Sequence, residues 1–205
     1  MIKNIIFDIG NVILNFDVKQ VVQMFTTNNN EQRFILDNII NSPEWLGNAL
    51  IDTGYITRED AISIVQDRTN HIYDKLIEDF WYNYNDFAKI DERVLKLIEK
   101  LKNNNYKIYI LSNINPYTHE FVKRSGLFEL VDGYVLSYQE HQVKPFISIY
   151  NTLLKRYNLI PNESVFIDDN EKNIVTGTSL GIISKKVEPD NYESIERAIN
   201  ELNLI

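Results

Sequence analysis

Apolar positions follow two rhythms along this chain, and the change between them divides it. Ile2-Lys3-Asn4-Ile5-Ile6-Phe7 is a nearly continuous apolar run rich in β-branched residues. That is the pattern of a strand buried on both faces in a parallel sheet. The run stops at a carboxylate, Asp8, and Gly10 follows, where a backbone without Cβ can turn sharply and approach a ligand. From Val18 to about Phe87 the apolar spacing is helical, with few strand signals. Residues 18–25 read as an amphipathic helix, 31–42 as a second, and 71–87 as another heavy in aromatics, with Asn28–Asn30 a surface loop. Thr57-Arg58-Glu59-Asp60 has the form of a capping box opening a further helix.

From Asp91 onward helices and strands alternate. An amphipathic helix at 91–105 precedes a strand ending at Ser112-Asn113, and Pro116 opens a helix that Gly126 ends. A short strand at 132–137 comes next, and Pro145 suits the first position of a helix reaching Tyr157. A strand ending at Asp168-Asp169, a short helix closed by Gly181, a last strand and a last helix complete the chain. This alternation predicts an α/β fold with a doubly wound parallel sheet. Residues 1–15 and 89–205 form its core, and 16–88 are an inserted helical bundle.

Composition narrows the function. The 205 residues contain no cysteine, so disulfides and thiolate metal sites are excluded. A net charge of −8 repels nucleic acid and anionic lipid. No apolar run is long enough to span a bilayer, and the N-terminus lacks the pattern of a signal peptide. The expectation is a cytoplasmic protein with a small-molecule ligand, without nucleic acid, membrane or obligate protein partner.

Polar groups follow apolar runs at four places: Asp8, Ser112-Asn113, Lys144 and Asp168-Asp169. Ligands of open α/β sheets bind at the carboxyl ends of the strands, so these groups are expected to converge. Each alone has an ordinary explanation in turn chemistry, a solvated lysine or helix capping. Together they suit phosphoryl transfer. A carboxylate can attack phosphorus, and Mg²⁺, which favours oxygen ligands, screens the repulsion between them. Asp8, Asp169 and the Gly10 carbonyl could share the ion. Lys144 could hold the nucleophile and the phosphate, with the Ser112 hydroxyl and Asn113 amide on the remaining oxygens. His71, His119 and His141 lack metal-ligand spacing and read as surface or capping residues.

The segments FDIGNV (7–12), ILSN (110–113), VKP (143–145) and FIDDNEKNI (166–174) resemble the motifs of the haloacid dehalogenase superfamily of phosphohydrolases, along the whole chain. The Gly-Asn-Val first motif, with SPEWL (42–46) and TGYIT (53–57), is similar to the subgroup that includes bacterial α-glucose-1-phosphate phosphatases. The resemblance implies a helical cap over a Rossmann-like core and Mg²⁺ as cofactor. It makes Asp8 the catalytic nucleophile and Gly10 and Asp169 metal ligands, with Asp168 and Asn173 supporting the metal. Either aspartate of the pair could touch the ion; Asp169, further out of the strand, is favoured. Trp45, Leu46 and the loop to Gly54 are expected to line the substrate pocket, with Phe16 and Asp17 at its entry.

The sequence departs from the family pattern where most phosphatase members carry a second aspartate as general acid/base, two residues after the nucleophile. Here that position is Gly10, and Asp17 or a cap residue is expected to substitute. His141 stands where a glycine is usual, and no acidic residue follows Lys144-Pro145. Two alternatives to a phosphatase are a metal-free 2-haloacid dehalogenase and a non-catalytic module that binds phosphorylated metabolites.

Overall fold

The computed structural model describes residues 1–44 and 50–205. Strand β1 is Asn4–Phe7, followed by the short β2 (Leu14–Asn15). Helices α1 (Val18–Phe25), α2 (Asn29–Ile35), α3 (Arg58–Arg68) and α4 (Asp74–Asn83) come next, with a π-helical turn at Leu36–Ile40 and a 3₁₀ turn at Tyr84–Phe87. The chain continues through β3 (Lys89–Ile90), α5 (Glu92–Asn103), β4 (Lys107–Ser112), α6 (Pro116–Lys123), α7 (Leu127–Leu130), β5 (Gly133–Leu136) and α8 (Ser137–Glu140). It ends with α9 (Ile147–Arg156), β6 (Ser164–Asp168), α10 (Glu171–Ser179), β7 (Ile183–Lys186) and α11 (Tyr192–Glu201).

Five strands make one parallel sheet in the order β5-β4-β1-β6-β7. The period-2 geometry of a strand divides its side chains between two cores. Ile5, Phe7, Ile108, Ile110, Val165 and Ile167 pack on one face against α5 and α11. Ile6, Tyr109, Leu111 and Phe166 pack on the other against α9 and α10. The apolar run before Asp8 is therefore buried on both sides, as its composition requires. Register then levels the strand ends, because Phe7 pairs with Ile110 on one side and Ile167 on the other. Asp8, Ser112 and Asp168 emerge at one edge.

Helices α1 to α4 bury a separate cluster in which Trp81, Phe80, Ile35, Ile39 and Val65 are buried. The chain leaves the sheet through β2 and returns through β3, which pair antiparallel, Leu14 with Ile90 and Asn15 with Lys89.

Three local expectations change. Asn28 is not loop: its side chain accepts from the Asn30 N–H and caps α2, whose first turn holds Asn29 and Asn30. The helix expected from His71 starts at Asp74, because Asn70, His71 and Tyr73 have positive φ. Pro145 follows a cis peptide and lies before α9, whose first residue is Ile147.

The loop before α3 is pinned to the loop region after β5. The Ser137 hydroxyl donates to the Asp52 carbonyl (2.6 Å), and His141 Nδ1 meets the Thr53 carbonyl (2.8 Å). Tyr55 stacks on the His141 ring at 5.1 Å. Gly54 has φ +71°, and a Cβ there would stand 2.5 Å from the Tyr138 carbonyl. Gly54→Ala is expected to lose about 1–3 kcal/mol of stability, the usual cost of overpacking. Gly10→Ala, whose Cβ meets nothing within 4 Å, serves as the control. Thermal unfolding of both variants checks this.

Candidate active site

The sheet edge is built around one ammonium. Lys144 is almost fully buried, and its Nζ lies 2.8 Å from Asp8 Oδ1 and 2.7 Å from Asp168 Oδ2. Its backbone is held by Asn113, whose Oδ1 accepts the Lys144 N–H (2.8 Å) and whose Nδ2 donates to the Lys144 carbonyl (2.9 Å). Asn113, expected on the phosphate, is thus engaged in clamping the lysine loop onto the end of β4.

Asp8 Oδ1 also accepts from the Ser112 hydroxyl (2.7 Å) and the Ile9 N–H (2.7 Å). All these bonds fall on Oδ1; Oδ2 receives none among the described residues. One oxygen is anchored and the other is left for chemistry. Asp168 differs: Oδ1 accepts the Asn170 N–H and Asn173 Nδ2, and Oδ2 accepts Lys144 and Asn173 Nδ2. Asp169 accepts a side-chain bond from Asn11 Nδ2 (3.0 Å) and is only partly buried.

Asp8, Asp168 and Asp169 bring carboxylate oxygens within 4.8 Å of one another. Three carboxylates against one ammonium leave two formal negative charges. Burial pushes the Asp8 carboxyl up to about 7, against the opposing pull of Lys144 and Ser112. Burial likewise raises Asp169, with Asn11 opposing. For Lys144 burial acts downward, but Asp168 and Asp8 outweigh it and the ammonium is held above its usual range. A hard divalent cation fits both the charge deficit and the all-oxygen donor set.

Above this edge lies a cavity of about 290 Å³. Ile9, Gly10, Ser112 and Asn113 contribute from the sheet side, and Phe16, Ile51, Asp52 and Tyr84 from the helical block. Asn85, Asn115 and Thr118 add polar groups. Asp17, expected at the entry, caps α1 instead, accepting the Lys19 and Gln20 N–H groups on Oδ1. It lines a neighbouring hollow with Asp190, while Phe16 borders both spaces. Trp45 and Leu46 lie outside the described residues. Of the histidines, His119 is buried, not superficial, with Nδ1 2.8 Å from the Tyr138 hydroxyl. At the turn after Asp8 the positive φ falls on Asn11 (56°), not on Gly10.

Sequence reasoning did not single out Asn11 or Asp52. Asn11 stands inside the motif, but only the fold brings it to Asp169. Asp52, beside Thr53-Gly54, looks like any turn aspartate.

A model of haloacid dehalogenase-like hydrolases matches residues 2–181. The chain belongs to that family. Among curated relatives, D-ribitol-5-phosphate phosphatase of Bacteroides thetaiotaomicron is 27% identical over 202 residues, covering 93% of each chain. A haloacid dehalogenase family enzyme of the same organism, solved with magnesium and inorganic phosphate, superposes with TM-score 0.76 at 24% identity, covering 96% of this chain and 99% of the other. A haloacid dehalogenase-like hydrolase of Porphyromonas gingivalis gives TM-score 0.78 at 24% identity, covering 99% and 98%. This hydrolase thus shares its fold with both solved structures over nearly the full length.

Removing the ammonium tests the electrostatic reading. Lys144→Met leaves two buried carboxylates without their cation, and the loss is expected at about 3–5 kcal/mol. Urea unfolding in metal-free buffer measures it.

Proposed function

We propose that this hydrolase is a Mg²⁺-dependent phosphomonoesterase acting through an aspartyl-phosphate on Asp8. The observation that carries the reading is the asymmetry of Asp8. Its Oδ1 is fixed by Ser112, Lys144 and the Ile9 amide, while Oδ2 receives no hydrogen bond among the described residues. A nucleophile held this way is pre-oriented for attack. Asp8, Asp169 and the Gly10 carbonyl would hold the ion. When bound, Mg²⁺ supplies screening of the repulsion between carboxylate and phosphate. Lys144 stays against Asp8 Oδ1 and stabilises negative charge during transfer, and Asp168 keeps Lys144 in place. The Ser112 hydroxyl is placed to bind a phosphoryl oxygen once it turns from Asp8.

The substrate we assign is a small, hydroxyl-rich phosphate ester, a sugar or polyol phosphate such as glucose 1-phosphate or ribitol 5-phosphate. The cavity has the volume for a small metabolite, at the lower end of ligand pockets. Among the described residues its lining contains no lysine or arginine, so nothing there calls for a second anionic group, while Asp52, Asn85, Asn115 and Thr118 suit hydroxyls. Residues 16–88 act as the cap that covers the ester and excludes water during transfer. Displacement of halide from a carbon needs no cation, and the clustered carboxylates argue against that alternative.

Two measurements test the reading. p-Nitrophenyl phosphate is expected to be hydrolysed with Mg²⁺ and not with excess chelator, and Asp8→Asn is expected to abolish turnover while the circular dichroism spectrum is retained. Residual turnover near that of the unaltered protein, with deamidation excluded by mass spectrometry, would remove Asp8 as nucleophile. Activity titrated against Mg²⁺ then separates the aspartates. Asp169→Ala is expected to raise the Mg²⁺ requirement more than Asp168→Ala, whose main effect is lost stability. The reverse order would make Asp168 the direct ligand.

A further inference from the structure

The position that would carry a second catalytic carboxylate on the nucleophile loop is Gly10, which has no side chain to exchange a proton. Yet an ester with a poor leaving group needs a proton delivered to its departing oxygen. Within the cavity that Gly10 borders, the described lining residues include one carboxyl group, that of Asp52.

Asp52 comes from the helical block, and its place relative to the sheet edge is fixed by several contacts. Its carbonyl accepts from Ser137, the next carbonyl meets His141, and Gly54 packs directly against the Tyr138 backbone. Its side chain is oriented too. Asn115 caps α6, with its Oδ1 accepting the Thr118 N–H (2.9 Å). That fixes the amide orientation, so Nδ2 faces outward and donates to Asp52 Oδ1 (3.1 Å). The Tyr84 hydroxyl supports the same amide oxygen (3.3 Å) and meets Thr118 Oγ1 (3.0 Å). Among the described residues, Asp52 Oδ2 receives no side-chain or backbone hydrogen bond. The carboxyl thus has the arrangement of Asp8: one oxygen anchored and the other unengaged.

We propose that Asp52 is the general acid/base of this enzyme, serving from the cap in place of the absent carboxylate at position 10. The inference rests on the phosphatase reading above. As Asp8 Oδ2 bonds to phosphorus, the bond from phosphorus to the ester oxygen breaks, and the proton of Asp52 moves to that oxygen. The alcohol leaves and Asp52 remains as carboxylate. It then takes a proton from the water that attacks the aspartyl-phosphate, which returns Asp8 and yields inorganic phosphate. Burial holds the Asp52 carboxyl up at about 7, with Asn115 pulling the other way. Both protonation states are therefore populated near neutrality, as a group acting alternately as acid and base requires. Because the acid sits on the cap, proton delivery depends on the cap being seated on the core.

The test compares phenyl phosphate with p-nitrophenyl phosphate, in the unaltered enzyme and in Asp52→Asn, with Mg²⁺. Neither ester carries a free hydroxyl, so a residue that merely binds substrate hydroxyls would not separate them. The two differ chiefly in how much the leaving oxygen needs a proton. The expected result is a fall in kcat/KM, which reports formation of the aspartyl-phosphate, at least about tenfold larger for phenyl phosphate than for p-nitrophenyl phosphate, within the ~10²–10⁴-fold range of a positioned acid. Measurable p-nitrophenyl phosphate turnover also shows that the variant is folded. Equal losses of kcat/KM on both esters, or no loss on either, overturn the assignment of Asp52. Failure of the unaltered enzyme to hydrolyse either ester overturns the phosphatase reading itself, and this inference with it. Asp52→Glu, which keeps the proton, is expected to narrow the gap between the esters relative to Asp52→Asn; a gap as wide as that of the amide variant also counts against the assignment.

Discussion

A lysine ammonium shared between two buried carboxylates is the constraint from which the rest of this site follows. Removing an ammonium from water costs several kcal/mol even after relaxation, so Lys144 is tolerable only where anionic partners meet it at short range. Asp8 and Asp168 do so from neighbouring strands. This requires β1 and β6 to be in fixed register, since a slip of either strand by one residue would turn its carboxylate to the wrong face. It also requires the loop carrying Lys144 to close onto the end of β4, which is the service of Asn113. Parallel pairing, buried apolar runs and the Asn113 clamp are thus all conditions for one ion cluster. The cluster in turn remains short of positive charge, which makes it a site for a cation and a phosphate rather than a closed structural ion pair.

Much of this was legible in the chain before any coordinates. The stretch Ile5-Ile6-Phe7 specifies a central strand, and the carboxylates that follow two such apolar stretches do meet at one edge of the sheet. The amphipathic helix after Asp91 and the Thr57 capping box read correctly because each rests on local rules. The failures are of another kind. Asn28 looked like loop because asparagine favours both turns and N-caps, and only the helix that follows distinguishes them. Pro145 looked like a helix start because proline favours the first helical position, but α9 begins two residues later, at Ile147. The clamp that Asn113 makes on the Lys144 backbone, some thirty residues later, is a different matter: it adds to the expected role of that residue and cannot be inferred from spacing.

Asp52 was illegible for a deeper reason. Its carboxyl borders the cavity between the helical block and the sheet, where the Asn115 amide of α6 holds one of its oxygens. Spacing rules address residues on one helix, strand or turn, whereas this carboxyl acquires its character from the seam between two cores.

That seam suggests how the labour is divided. In our reading the sheet edge handles phosphate and cation with groups whose positions are set by backbone register. In the same reading the cap supplies hydroxyl-binding groups and the proton, from a loop held by a serine, a histidine in left-handed conformation and a glycine against backbone. His141 illustrates the coupling. A left-handed backbone is unfavourable by roughly 1–2 kcal/mol for a residue with a Cβ, and glycine would avoid that cost. Glycine, however, could neither bond to the Thr53 carbonyl nor stack with Tyr55. The residue that departs from the expected pattern on the lysine loop is therefore one of those that hold the Asp52 loop in place. In our reading the two departures, glycine at position 10 and histidine at position 141, become intelligible together: a carboxylate absent from the nucleophile loop is matched by one on a segment that His141 helps to fasten to the core.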